Sequence, residues 1–142
     1  MDIRTHHALD RELCGTPEAL AEGTATVSLS TTLRMAVDDH GLVHGGFVFG
    51  LVDHAAMLAV NEPTVVLGAA ELRFLAPVRA GQRVVATARV AERPGKKILV
   101  DVEAHIHEVG AAVATVVLTG RLTCFVPPRH VLAPEPEKET TP

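Results

Sequence analysis

The sequence predicts an α+β domain in which one long central helix is wrapped by a curled antiparallel sheet of five to six strands. A single stretch, residues 44–60, opens on two glycines and is apolar at nearly every angular position from Phe47 to Val60, as a helix buried on all sides would be. Other segments alternate apolar and polar residues with a period of two, the pattern of half-buried strands. The four strand-like segments after the helix follow one another through short turns. Such turns join antiparallel neighbours and cannot hold the crossovers that parallel pairing needs.

In chain order, residues 6–13 read as a short helix ended by Gly15 and Pro17, so residues 1–21 form an N-terminal helical segment. From Gly23 the residues Ala25, Val27, Leu29 and Leu33 point one way, with Thr24, Thr26, Ser28, Ser30 and Thr32 opposite. The loop 38–41 leads into the buried helix, which ends near Asn61 because Pro63 cannot continue it. Residues 64–75 are apolar on both faces in their first half, and Pro77 with Gly81 supplies the next turn. Residues 83–91 form the next strand, closed by a hairpin at 93–96.

In the run 98–107, Ile98, Val100, Val102, Ala104 and Ile106 face the core and Leu99, Asp101, Glu103, His105 and His107 face water. Residues 111–118, after Gly110, are apolar on both faces, which fits a strand covered by its own helix and by a partner. The compact domain therefore covers residues 22–126. From 127 to 142 Pro, Glu, Lys and Thr dominate, the composition of a disordered tail.

A chain of 142 residues, 47% hydrophobic, is long enough for one domain with a real core. Its net charge of −4 and lack of a basic stripe argue against nucleic acid as a partner. Cys14 and Cys124 are too few and too far apart to suggest a disulfide framework. The N-terminus lacks the apolar core of a signal peptide and no run reads as a membrane span, so a cytoplasmic protein with no membrane partner is expected. With no Trp, no Tyr and four Phe, a ligand pocket must be lined mainly by aliphatic chains, which suits an acyl group better than stacked bases.

The residue that demands a reason is Asp53. A carboxylate in so apolar a helix is unfavourable unless something pairs with it or uses it. At the helix start, unpaired amides and the positive end of the dipole would face any ligand that Gly45 and Gly46 allow to approach, a plausible oxyanion site.

These features, with the wording Val43-His44-Gly45-Gly46 and an acidic residue nine positions after the His, resemble the hot-dog fold acyl-CoA thioesterases, especially the phenylacetate-pathway branch. The resemblance runs from about Gly23 to Phe125. It implies that the Gly45 amide polarises a thioester carbonyl and that Asp53 acts as base or nucleophile. Two positions depart from the family pattern. Asp38 stands six residues before the His, where relatives often carry an Asn that helps at the carbonyl, and the stretch Leu67-Gly68-Ala69-Ala70 lacks the Ser or Thr that orients water in many relatives.

The catalytic candidates are therefore Asp53, Gly45, His44 and Asp38. Gly46, Phe47, Phe49, Met57 and Phe74 are candidates for the acyl pocket. Arg93, Lys96 and Lys97 at one hairpin are candidates for a coenzyme A phosphate, with Arg79 and Arg83 as second choices. No cofactor is expected, coenzyme A being part of the substrate. No metal is expected either, because the pairs His40/His44 and His105/His107 lack companion ligands.

Asp53 follows Gly45 by eight residues, so about 12 Å separate them along the axis. One carbonyl cannot meet both, which predicts a site shared between subunits whose central helices run antiparallel. A homodimer is the expected assembly, and the two-faced apolar runs favour a homotetramer. The alternatives are a hot-dog protein that binds acyl-CoA without turnover and an enoyl-CoA hydratase or dehydratase, the latter suggested by Asp39 and His44 lying five apart.

Overall fold

The structure, a computed structural model, describes residues 1–134. Its elements run α1 (Arg11–Cys14), β1 (Thr16–Ala21), β2 (Thr24–Ser30), a one-turn 3-10 helix (Leu33–Met35), α2 (Gly45–Val60), β3 (Val66–Phe74), β4 (Arg83–Glu92), β5 (Lys97–Ile106) and β6 (Thr115–Phe125). The six strands form one antiparallel sheet in the order β1-β2-β4-β5-β6-β3, and α2 lies mainly over β2, β4 and β5. This is the hot-dog fold.

The alternating strands behave as patterned. Ala25, Val27 and Leu29 of β2 and Ile98, Val100, Val102, Ala104 and Ile106 of β5 are all buried beneath α2. The helix itself buries Val48, Leu51, Val52 and every residue from His54 to Val60. Asn61 ends it in the left-handed conformation, φ 52°, where its amide donates to the Met57 carbonyl at 2.8 Å. Its side chain then ties down the N-terminal segment: Nδ2 donates to the Asp2 carbonyl and Oδ1 accepts from the Arg4 amide, both at 2.8 Å.

Four expectations change. The first helix is shorter and later than 6–13, because Asp10 caps it at Arg11 by accepting from the amides of Glu12 and Leu13. Residues 16–21, placed in the N-terminal helical segment outside the compact domain, instead form β1, so the sheet begins before residue 22. Leu33 sits in the 3-10 turn, 80% exposed, since the chain leaves β2 at Ser30 and the period of two no longer applies. Ala111, Ala112 and Val113 belong to the exposed β5–β6 connection, and the strand starts at Thr115 and runs to Phe125.

Strand β3 is the exposed margin of the sheet. Among the described residues it pairs with β6 on one side only, with a bulge at Gly68, and its residues from Gly68 to Glu71 are exposed. Residues 127–134 carry no helix or strand, and the rest of the expected tail lies outside the described residues.

Candidate active site

His44 precedes α2 in an extended conformation, and its amide is held by the Met35 carbonyl at 2.9 Å. Its side chain is exposed and makes no cap hydrogen bond. The ring instead leans over the helix start, edge-on to Phe47 with centroids 6.2 Å apart. The amides of Gly45 and Gly46 have no acceptor among the described residues. They are the orphan donors that every helix start leaves, here with no side chain on either residue.

Of the two, Gly45 borders a cleft of about 360 Å³ that is also lined by Val43, Val48, Phe74, Val78 and Val117, among others. Phe74, 56% exposed at the end of β3, stacks over Gly45: a β-carbon there would come within 3.3 Å of its Cε1. The chemistry offered is an apolar slot with a free hydrogen-bond donor, the Gly45 amide, at its wall. Such a donor stabilises an oxygen that gains negative charge, provided a bound ligand fills the slot and excludes water.

Asp53 is partly buried, and its Oδ1 is fully buried with no hydrogen-bond partner among the described residues. Burial raises its pKa above the usual carboxylate range. The carboxylate in turn helps to raise two thiols. Burial is the larger cause at both, pushing Cys124 up to about 12 and Cys14 upward. Among the described residues Asp53 does not line the helix-start cleft.

The remaining candidates divide. Asp38 is exposed, and its carboxylate accepts from the amides of His40 and Leu42, shaping the loop before the helix. Phe47 and Phe49 are half-buried against the core. Met57 is 1% exposed and packs in the core, so it is not a pocket residue of this chain. That correction follows from its place in the buried core cluster, where it borders none of the described clefts.

The hairpin cations Arg93, Lys96 and Lys97 are exposed at the far end of the sheet from Gly45. Lys97 pairs with Phe125, whereas Phe74, at the helix start, pairs with Leu118 at the other end of β6. At about 3.4 Å per residue, the seven residue steps of β6 between these pairs put the two ends about 24 Å apart. A second cleft of about 400 Å³ shares Ala76, Pro77 and Val78 with the first and carries Arg79 and His40. Arg83 is engaged with Glu18 at 3.4 Å.

Sequence reading missed Val43, Val78 and Val117 as walls of the cleft, and alternation in β6 is the one signal that bore on Val117. It also missed Cys124 as a thiol that the charge of Asp53 helps to keep protonated. His54, buried to 3%, is a structural residue: its Nδ1–H donates to the Cys14 carbonyl at 3.0 Å. No group of three or more His, Cys, Asp or Glu side chains among the described residues is placed to hold a metal ion. No helix among them is long and apolar enough to cross a membrane.

A helix-start donor site beside an apolar cleft, on a six-stranded sheet wrapped round that helix, agrees with what comparison finds. The model of the thioesterase superfamily matches residues 40–113, just over half of the chain, and the chain belongs to that superfamily. Among solved structures, an uncharacterized protein of Pyrococcus horikoshii, PH1136, is 50% identical with a TM-score of 0.86, over 94% of this chain and 98% of that one.

Among curated proteins, acyl-coenzyme A thioesterase PaaI of Escherichia coli is 33% identical over 87 residues, 60% of this chain and 61% of that protein. A methylthioribose-1-phosphate isomerase of Aquifex aeolicus is 53% identical over 103 residues, 72% of this chain. The match spans 23% of that relative's length.

Proposed function

We propose that this chain is an acyl-CoA thioesterase, hydrolysing a small or medium acyl- or aryl-CoA thioester to CoA and the free acid. The observation that carries the reading is the pair of unaccepted amides at Gly45 and Gly46, the first of them at the wall of an apolar cleft, with an unpartnered carboxylate oxygen on the same helix. The similarity to a protein named an acyl-CoA thioesterase supports it. The isomerase name belongs to a protein of which this chain matches less than a quarter, so it carries no weight for the activity here.

In this reading the amides of Gly45 and Gly46 receive the thioester oxygen. Asp53 of the other subunit takes a proton from water as the oxygen of that water bonds to the carbonyl carbon. The C–S bond then breaks and the thiolate of CoA recovers the proton. Direct attack by the carboxylate, giving a mixed anhydride that water opens, uses the same residues.

The exposed edge of β3 supports the two-subunit site. Pairing β3 with its own copy about a two-fold axis is antiparallel, so the Val66 end of one strand meets the Phe74 end of the other. The partner's hairpin end then comes to the same end of the assembly as this chain's helix start. Arg93, Lys96 and Lys97 regain a role there as phosphate contacts in trans, which one chain alone denies them. A dimer is the minimum assembly of this reading, and a tetramer would add sheet-face packing.

A second reading, acyl-CoA binding without turnover, is favoured by one observation: β3 carries no hydroxyl to orient water, and Asp38 is occupied with loop amides. Steady-state hydrolysis of a panel of acyl- and aryl-CoAs separates the two. Wild-type turnover that falls by about a hundredfold or more in Asp53→Asn supports the enzyme, and mixing that variant with Gly45→Pro chains restores part of it. Tight binding with no hydrolysis of any thioester leaves the binder.

A further inference from the structure

Away from the thioesterase site, the N-terminal segment, α1 and α2 border a half-open cavity of about 210 Å³ lined by Ile3, His6, His7, Leu9, Arg11 and His54, with Pro17 at its edge. This is below the size of a pocket for a drug-sized ligand and fits a small ion. Each imidazole has one nitrogen committed to the protein. His54 Nδ1–H donates to the Cys14 carbonyl at 3.0 Å, His7 Nε2–H to the Ile3 carbonyl at 2.9 Å, and His6 Nδ1 meets the Thr5 hydroxyl at 2.8 Å.

The second nitrogen of each ring has no partner among the described residues. In His54, 3% exposed and lining the cavity, that free atom is Nε2. Arg11 makes no ion pair among the described residues.

Among the described residues no carboxylate lines this cavity. The acids on the elements around it are mostly occupied: Asp10 with the amides of Glu12 and Leu13, Glu12 with Arg34, Glu18 with Ser28 and Arg83, and Glu62 with Arg4. Asp2 is exposed, and Asp53 projects about 100° round the helix from His54. Four groups able to carry positive charge thus converge on a small space with nothing negative in it.

We propose that this cavity binds a small, doubly charged oxyanion of the phosphate class, held by Arg11 and the free nitrogens of His6, His7 and His54. The guanidinium offers paired donors to two oxygens, and each protonated imidazole adds one more. Empty, the cavity disfavours protonation: burial first, then neighbouring charges, hold His6 low, and burial with Arg11 does so for His54 against the Cys14 bond. An anion reverses that balance, so binding takes up protons and strengthens as pH falls. The site is independent of the thioesterase reading.

Calorimetric titration of the full chain with sulfate, a tetrahedral oxyanion that stays doubly charged at both about pH 6 and about pH 8, at constant ionic strength in chloride, tests it. The expected result is one saturable site, at least about tenfold tighter at the lower pH, with the His54 ring resonances shifting on binding. Arg11→Gln and His54→Asn each weaken it by about tenfold. The Asn amide keeps the donor to the Cys14 carbonyl while removing Nε2, and if that variant does not fold, Arg11→Gln decides alone because Arg11 is exposed. No saturable binding at the lower pH, affinity unchanged in Arg11→Gln, unmoved His54 resonances, or acetate binding as tightly as sulfate each overturns the proposal.

Discussion

Phe74 lies so close to Gly45 that a β-carbon on the glycine would stand 3.3 Å from the ring's Cε1. The end of the open-edged strand and the start of the buried helix therefore share one small volume. Whatever binds at the helix amides must pass this ring or displace it.

Gly45→Ala is expected to be nearly silent for folding and costly for function. The residue is helical, and Phe74 is exposed enough to yield a few tenths of an ångström, so urea unfolding should change by less than about 1 kcal/mol. The added methyl stands beside the donor amides, and misplacing an acyl group there should lower kcat/KM on the order of a hundredfold. Equal losses of stability and activity would show instead that the glycine serves packing alone.

Asp53→Asn should stabilise the protein above neutral pH. Burial raises the folded-state pKa of Asp53 above its unfolded value. Below the unfolded value, about 3.9, both states hold the proton and the group contributes nothing. As pH rises through the interval between the two values the unfolded chain releases its proton first, so stability falls and then stays lower. Denaturation midpoints across about pH 4 to 8 should show the variant above wild type at the top of this range and the gap closing toward the bottom. A variant less stable than wild type at about pH 8 would contradict an unpaired carboxylate. A gain in stability with a loss of turnover would mark a group kept for chemistry.

Gly120 of β6 pairs with Leu72 of β3, and a β-carbon there would collide with the Glu71 carbonyl oxygen. Backbone cannot step aside as a flexible side chain can. Gly120→Ala should therefore destabilise by about 2 kcal/mol or more and loosen β3 from the sheet. Gly50→Ala is the matched control: nothing lies within 4 Å of its added carbon, and in a helix interior it should gain about 0.5–1 kcal/mol. Urea titration of both variants checks the contrast.

Much of the architecture was legible because burial imposes periods on the sequence. β5 shows its inward set at every second residue, and α2 shows none of the polar stripe of a surface helix. β1 was not legible because it buries little: only Pro17 and Leu20 are even partly covered, so no alternation marks it. The apolar residues at 111–113 misled for the opposite reason, being hydrophobic in a connection, while Gly120 and Arg121 disguised the middle of β6.

At the site, Asp53 and the glycines stood out as local anomalies. The contact of Phe74 with Gly45, and the distance of the hairpin cations from both, depend on strand order, which local pattern does not encode. Met57 looked the same in sequence as a pocket residue, and only the face it presents distinguishes it.

The unpaired margin of β3 has a kinetic meaning if the two-subunit site is correct. A chain that finds its missing rungs, its second carboxylate and its phosphate contacts only in another copy has no activity of its own at infinite dilution. Turnover per milligram would then climb with protein concentration until association saturates, making the abundance of the protein itself a control over its rate.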